Sequence, residues 1–577
     1  MAQIEAPDAA RVYQLYLSGV AAKSAIDLYD TVNRNERFYA GDQWYGVNAP
    51  DLPKPVVNFI KRACQQKIAN VGNTPAKVQF LASDLPARVV TGGAVKKQGE
   101  RNLRRIEALR EEREGRAPAA AAPEDLASES DAAVLTAMFE MDWQRLKMDY
   151  VNRCGLLDAC VSGDYVLYGY WDPDAETGQE SRGQIAVERI DSVNYYPTNV
   201  NDPDVQKQPS VILARRELLS DVKAQARRCG AKPADIQNIA PDWERQWEAG
   251  DMAQRESGDP EAQKCVTLLY LWRDAATGRI FAQKTCRACV IRPAWDTLLK
   301  RYPLCAMNWE LRKNSAFGRA EITGLIPNQV VVNRIYAMAA LSIMQNAFPK
   351  VLYSQAAGIH EWSNDLTQAI PVNVPDVSAA AKYLTPAGMA SDAYAFPEKV
   401  MRTSMELIGA NDVEMGNTDP VNTSAFLLAK QQAEVPLQTV ASRFYTMMEE
   451  FALNWLDMTF AYLTAGRWVT LRHTDGTRFT DAFAPERFRS RLWSVEIQAG
   501  GGVQWSYGTV LDQLGKALQA GQIDFETYLR AMPEEYFPNR EQILTAIEKA
   551  RRQKSEPDAG SAREAGAGAA YPRATAG

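Results

Sequence analysis

The chain has 577 residues, with 65 Lys and Arg against 71 Asp and Glu, a net charge of −6 and 46% hydrophobic residues. On a soft prior of ~150 residues per domain there is room for about four domains and a sizeable core. The slightly acidic balance excludes a protein that grips nucleic acid by neutralising phosphates, which needs clustered Lys and Arg, but not one past which DNA slides.

The chain opens with a predicted helix up to Phe38, then Gly41-Asp-Gln-Trp-Tyr45 and a turn through Pro50, Pro53 and Pro55. Apolar residues at helical spacing over Val56 to Val71 end at Gly72, where a helix-closing glycine belongs. Lys77 to Leu81 alternates as a strand. Residues 96–116 carry eight Lys and Arg against five Glu, a solvated face rather than a DNA patch, and Ala117 to Ser130 reads as a flexible linker or insertion. A long helical pattern runs from Asp131 to Ser162. Strands follow at Tyr165 to Trp171 and Gln184 to Ile190, with turns at Asp172-Pro-Asp174 and Thr177-Gly178. Val266 to Trp272 and Arg279 to Gln283 predict a hairpin around Ala276-Thr-Gly278. The first three hundred residues are therefore expected to be α+β.

Glu321 to Asn346 predicts a long helix with Pro327 early in it. Its uncharged apolar run, Ile335 to Pro349, falls short of the ~20 residues of a membrane span and predicts a buried helix. Prolines 349, 371, 375 and 386 punctuate a small β-rich unit, and helical pattern returns at Pro397, a good first-turn residue. The segment 411–424 is a polar, Gly- and Pro-punctuated loop without Lys, Arg or His. A helix of about 39 residues follows to Leu463, bent where Pro436 removes a hydrogen bond. Trp468 to Arg472 and Leu492 to Gln498 read as strands around the turn Asp475-Gly476. Tyr507 to Ala520 is helical up to Gly521, Asp524 caps a further helix, and Asn539 with Gln542 starts a last one. Residues 556–577, rich in Ala, Gly and Pro, predict a disordered tail.

No catalytic constellation emerges. His360 and His473 are the only histidines, and Asn364 stands where a zinc-protease helix beginning His360-Glu361 needs its second histidine. Cys286-Arg-Ala-Cys289 has no partner pair, so a metal or redox motif is not expected. The eight cysteines (Cys64, Cys154, Cys160, Cys229, Cys265, Cys286, Cys289 and Cys305) read as reduced thiols of a cytosolic compartment. Residues 1–30 show no export signal. Gly508 to Lys516 lacks the spacing and the Ser or Thr of a phosphate loop, Gly500-Gly-Gly502 marks a turn, and no Gly-x-Ser-x-Gly elbow occurs. Asp202, Asp204, Asp412 and Asp419 are the carboxylates a metal-dependent nuclease would have to use, but they come with no base or phosphate anchor. Neither enzymatic activity nor a cofactor is expected.

Four stretches together resemble the portal proteins of tailed bacteriophages, especially the short-tailed type. They are Arg37-Phe-Tyr-Ala-Gly-Asp-Gln-Trp44 with Val56-Val-Asn-Phe-Ile60 and Asn73-Thr-Pro-Ala-Lys-Val78; Val187 to Pro203; Gly318-Arg319 with Pro327-Asn-Gln-Val-Val-Val-Asn-Arg334; and Ile408 to Pro420 with Ser424-Ala425. The likeness spans about Asn33 to Leu463, and the Ala/Pro-rich insertion departs from it. The resemblance implies a ring, usually of twelve subunits, at one capsid vertex of the virion, through which double-stranded DNA is packaged and ejected. It implies an α/β wing over 1–318 with an insertion near 96–130, a first stem helix at 319–347 and a clip at 348–396. A second stem helix at 397–410, a tunnel loop at 411–424 and a kinked helix at 425–464 follow. Wing strands at 465–505, a small helical crown at 506–555 and the tail complete the chain.

In that scheme Asp412, Glu414, Met415, Asn417, Asp419 and Asn422 line the channel. An acidic lumen repels phosphate and so lets DNA pass without trapping it. Tyr353, His360, Glu361, Trp362 and Asp365 belong to a clip surface that docks the large terminase and later the tail adaptor proteins. Major capsid and scaffolding proteins are the other implied partners. Another ring-forming head or tail component is the nearest alternative, and a metal-dependent nuclease a more distant one.

Overall fold

A computed structural model describes residues 6–50, 52–72, 76–86, 123–176, 178, 182–242, 263–347, 350–359, 372–376, 378, 380–384, 388–409, 423–464, 466–472, 478–489 and 491–499, with scattered positions between 515 and 547. The loop 411–422, His360 to Asp365, most of the expected crown and the tail lie outside these residues. The elements in chain order are helices α1 (Ala9–Ala25), α2 (Leu28–Ala40) and α3 (Phe59–Gly72), strand β1 (Ala76–Pro86), and helices α4 (Pro123–Arg145) and α5 (Met148–Ser162). Strands β2 (Asp164–Asp172), β3 (Gln184–Ile190), β4 (Tyr195–Pro197) and β5 (Ser210–Leu218) precede α6 (Leu219–Arg228) and α7 (Pro233–Gln237). Next come β6 (Lys264–Arg273), β7 (Ile280–Cys286), β8 (Val290–Asp296), β9 (Leu304–Asn308), α8 (Glu321–Ala347), β10 (Lys350–Tyr353), β11 (Ala381–Leu384), α9 (Ser391–Leu407) and α10 (Thr423–Tyr462). The last are β12 (Arg467–Arg472), β13 (Arg478–Phe483), α11 (Pro485–Arg489) and β14 (Arg491–Ala499).

The described chain is a mixed α+β protein that divides into two compact units. The first comprises 1–79, 139–465 and 494–499. Its main sheet has five antiparallel strands in the order β4-β5-β6-β7-β8. Alternation along β5 and β6 turns Ile212, Ala214, Val266 and Leu268 to one face, where Val12 and Tyr16 of α1 seal them. A second sheet, β3-β2-β9, is antiparallel throughout. Helix α10 packs on β9, β2 and α3. Its fully buried Trp455 meets Phe139 edge-on, with centroids 5.2 Å apart, and donates from Nε1 to Asp142 Oδ2 at 2.9 Å. Asp457 Oδ2 accepts the backbone N–H groups of Lys300 and Arg301 at 2.8 and 3.0 Å, which fixes the helix lengthwise on the loop before β9.

The second unit comprises 80–138, 466–493 and 500–577. In it β12 pairs with β13 from Arg467↔Phe483 to Arg472↔Arg478. The buried Asp131 carboxylate meets Arg487, and Arg491 Nη1 at 3.2 Å. Phe483, Phe488 and Trp493 stack in sequence.

Several boundaries differ from those the sequence predicts. The opening helix is two helices, separated at Asp27 (φ 52°). The pattern from Asp131 to Ser162 is also broken, at Lys147 (φ 53°), where Trp143 Nε1 donates across the corner to Asp149 Oδ1 at 3.0 Å. Helix α4 starts at Pro123, inside the stretch expected to be a linker. Proline is tolerated at a first helical position because that N–H has no intrahelical partner. The strand paired with β12 is 478–483 rather than 492–498. Helix α9 begins at Ser391, so Pro397 lies in its second turn instead of its first. Helix α10 runs through Pro436 without interruption of its helical assignment.

Gly155 of α5 gives a direct test of this packing, because a Cβ there would overlap the ring of Tyr165. That ring is buried and held by its hydroxyl donating to Asn152 Oδ1 at 3.0 Å. Gly155→Ala is expected to destabilise the fold by about 1–3 kcal/mol in urea unfolding. Combining it with Tyr165→Leu should recover part of that loss.

Candidate self-assembly surface

The helix–ribbon–helix excursion α8-β10-β11-α9 begins from a dense polar anchor. Gly318, just before α8, donates its N–H to Asp164 Oδ1 at 2.7 Å, and Asn308 Nδ2 donates to the same oxygen at 2.7 Å. A Cβ on Gly318 would lie 2.6 Å from the Gly163 carbonyl oxygen, so only glycine fits this approach. At the first turn, Glu321 pairs with the buried Lys67 at 2.8 Å and accepts Trp309 Nε1 at 2.7 Å. Asn35 Nδ2 donates to Thr323 Oγ1 at 3.0 Å.

Two and three turns further, Gln329 and Asn333 are buried amides on the inner face. Gln329 Nε2 donates to Val57 O at 2.7 Å and to Asn333 Oδ1 at 3.0 Å. Asn333 Nδ2 donates to Gln43 Oε1 at 2.6 Å. Gln43 Nε2 in turn donates to Phe38 O, and Asn58 Nδ2 to Tyr39 O, both at 3.0 Å. Trp44 Nε1 closes the group on Pro55 O at 2.9 Å. The fold thus joins three sequence motifs, Gly41-Asp-Gln-Trp44, Val56-Val-Asn58 and Asn328 to Asn333, in one buried amide network.

Beyond this anchor α8 changes character. Val332, Ala337 and Ala339 are buried, whereas all of 343–347 is exposed. Ile343 is 59% and Met344 52% exposed, so the described run is buried only in its first part and its end, 343–347, lies open, contrary to the sequence expectation of a buried helix. Ile343 and Met344 thus present their apolar side chains to solvent along the last turn. Helix α9 returns alongside α8, fixed where Asn328 Nδ2 donates to Ser404 Oγ at 2.9 Å. It also presents Tyr394, Phe396 and Leu407 to solvent.

Between the helices, β10 and β11 form an antiparallel ribbon from Lys350↔Leu384 to Tyr353↔Ala381, two strands wide among the described residues. Tyr353 is 56% exposed, and Leu352 and Tyr383 are comparably open. A lone two-stranded ribbon is marginal in water. Of the 24 large apolar side chains exposed among the described residues, ten lie between Val331 and Leu407. This concentration of exposed apolar side chains makes the excursion the candidate contact surface of the described chain. The sequence signal for it was the absence of charge over 335–347, read there as burial inside the subunit.

The remaining sequence-based candidates fall elsewhere. Tyr353 is the one clip candidate among the described residues; His360, Glu361, Trp362 and Asp365 lie outside them, as do Asp412, Glu414, Met415, Asn417, Asp419 and Asn422. Pro436 is within α10. Asp202 and Asp204 serve their own turn: Asp202 Oδ1 accepts Asp204 N at 3.0 Å, and Asp204 Oδ1 accepts Gln206 N at 2.9 Å. Cys286 and Cys289 close the β7–β8 turn as buried thiols with sulfurs 3.8 Å apart, and all eight cysteines are free. Burial pushes the Cys289 thiol up to about 12. Among the described residues no group of three His, Cys, Asp or Glu is placed to hold a metal ion, and no helix is long and apolar enough to cross a membrane. Neither a protein-family model nor a curated protein matches the chain.

Two outcomes test the anchor. Asn333→Leu leaves Gln43 Oε1 and Val57 N without their partner, and is expected to cost about 2 kcal/mol in urea unfolding. Burial raises the Asp164 carboxyl from 3.8 to about 6, against the opposing pull of its two N–H donors. The folded state therefore holds this proton more tightly than the unfolded chain. Its contribution favours folding at pH 4 and is lost as pH climbs through about 6. Asp164→Asn should flatten that part of the stability–pH curve.

Proposed function

We propose that this chain is the subunit of a ring-forming portal of a tailed bacteriophage. The observation that carries the reading is the apolar surface left open along the end of α8, the β10–β11 ribbon and α9, on an element whose base is rigidly anchored. A heterologous contact repeated by rotation closes into a ring, and it buries the same patch in every copy. The resemblance in sequence adds the particular kind of ring. It gains support because Gln43, Val57 and the Gln329–Asn333 pair, from three separate stretches of the likeness, are joined by direct hydrogen bonds.

In this reading α8 and α9 are the stem and the ribbon with its connecting residues is the clip. The loop carrying Asp412, Glu414, Met415, Asn417, Asp419 and Asn422 faces the DNA channel. The clip, with Tyr353, His360, Glu361, Trp362 and Asp365, docks the terminase motor and then tail adaptors. The ring sits at one capsid vertex among major capsid and scaffolding proteins. The chain's role is geometric: it holds a channel of fixed size and low phosphate affinity, and the motor supplies the work.

Native mass measurement tests the reading. Twelve copies of the 64.1 kDa chain give a species of about 770 kDa. Ile343→Glu combined with Met344→Glu should shift the population to monomer, with subunit stability changed by no more than about 0.5 kcal/mol, as for other exposed positions. Assembly unaffected by these substitutions would remove the proposed interface.

A further inference from the structure

We infer that a cleft on the open face of the five-stranded sheet binds a small planar aromatic anion, with Arg292 as its charge partner. The cleft encloses about 530 Å³, within the ~300–1,000 Å³ typical of small-molecule sites. Its floor is the sheet face turned away from α1, where cross-strand neighbours Leu269↔Lys284 and Leu271↔Ala282 alternate apolar and cationic groups. Its walls are aromatic. Tyr168 stacks on Tyr170 with centroids 5.6 Å apart, and Trp171 of β2 stacks on Tyr462 of α10 at 5.3 Å.

The charges lining the cleft do not balance. Lys284 Nζ is held by Glu217 at 2.6 Å and Gln225 Oε1 at 2.7 Å, and Arg215 by Glu188. Asp296, the other lining carboxylate, is taken by Arg279 at 2.9 Å. Arg292 is left over: no described carboxylate lies within ion-pair distance, and its guanidinium rests 3.7 Å from the Trp295 ring centroid. That stacking holds the cation at the rim of the cleft and leaves its N–H groups free for an anion.

The buried Nε of Arg215 is a further donor without a partner among the described residues, and the half-buried Tyr168 lines the same cleft with its hydroxyl. Burial pushes that hydroxyl up to about 12, so it stays a proton donor at neutral pH. An inorganic anion would gain nothing from the stacked rings, and a neutral aromatic would leave the N–H groups of Arg292 without an anionic acceptor. A ligand carrying both a planar ring and a negative group uses the whole site.

The test is calorimetric titration of the full chain with two probes, adenosine 5′-monophosphate for a nucleotide source and 2-naphthoate for an aromatic carboxylate source. At least one should bind saturably with Kd below about 1 mM, and whichever binds identifies the source. Adenosine, 2-naphthamide and inorganic phosphate should each bind at least about tenfold more weakly. Arg292→Gln should weaken the charged probe about tenfold without changing the circular dichroism spectrum, and Arg292→Lys should retain part of the affinity. Failure of both probes to saturate, or unchanged affinity in Arg292→Gln, would overturn the proposal. Neither result depends on whether the chain forms a ring.

Discussion

The buried amide network of Gln43, Gln329 and Asn333 is the constraint on which the rest of the arrangement depends. A buried polar group is costly unless its hydrogen bonds are made, and here the amide N–H groups of Gln43, Gln329 and Asn333 all find an amide or backbone oxygen. An apolar seam would tolerate sliding by a turn, whereas this network permits one register between α8 and the N-terminal segment. The Lys67–Glu321 pair and the Gly318–Asp164 bond fix the same helix at its start. The start of α8 therefore has a single position, and its far end is carried out as an exposed rod.

That division between a polar anchor and an open apolar end explains how a slightly acidic, unremarkable composition can encode assembly. On the proposed ring reading, the subunit anchors the base of α8 with its own polar groups and leaves to its neighbours the burial of Ile343, Met344, Tyr394 and Phe396. At roughly 25 cal/mol per Å² of apolar surface, even a few such side chains per contact contribute several kcal/mol before ordering costs. In a closed ring every copy takes part in two such contacts, and there are as many contacts as copies. On the proposed ring reading, the two-stranded β10–β11 ribbon, marginal by itself, would gain order from the same contacts.

Elements with strong periodicity were legible in the sequence: β3 over 184–190, the β6–β7 hairpin, α8 and α10 all lie within a few residues of where alternation or helical spacing puts them. The breaks at Asp27 and Lys147 were not, because each is a single left-handed residue without Gly or Pro to announce it. Strands β5 and β8 were also missed. Charged side chains such as Arg215, Glu217 and Arg292 occupy their open face and spoil a simple apolar alternation, and these are the residues that line the cleft. The apolar character of 335–347 was plain, but single-chain reasoning assigns such a run to an interior. Whether a side chain is buried by its own subunit or by a copy is not written in local pattern.

The most direct measurement is electron microscopy of the purified full-length protein, alone and with coat and scaffolding proteins supplied. The account predicts closed rings with a central channel and rotational symmetry, the α8–α9 excursions of adjacent subunits in contact. Particles that remain single subunits under both conditions, or copies joined through surfaces that leave Ile343 and Met344 in solvent, would contradict it.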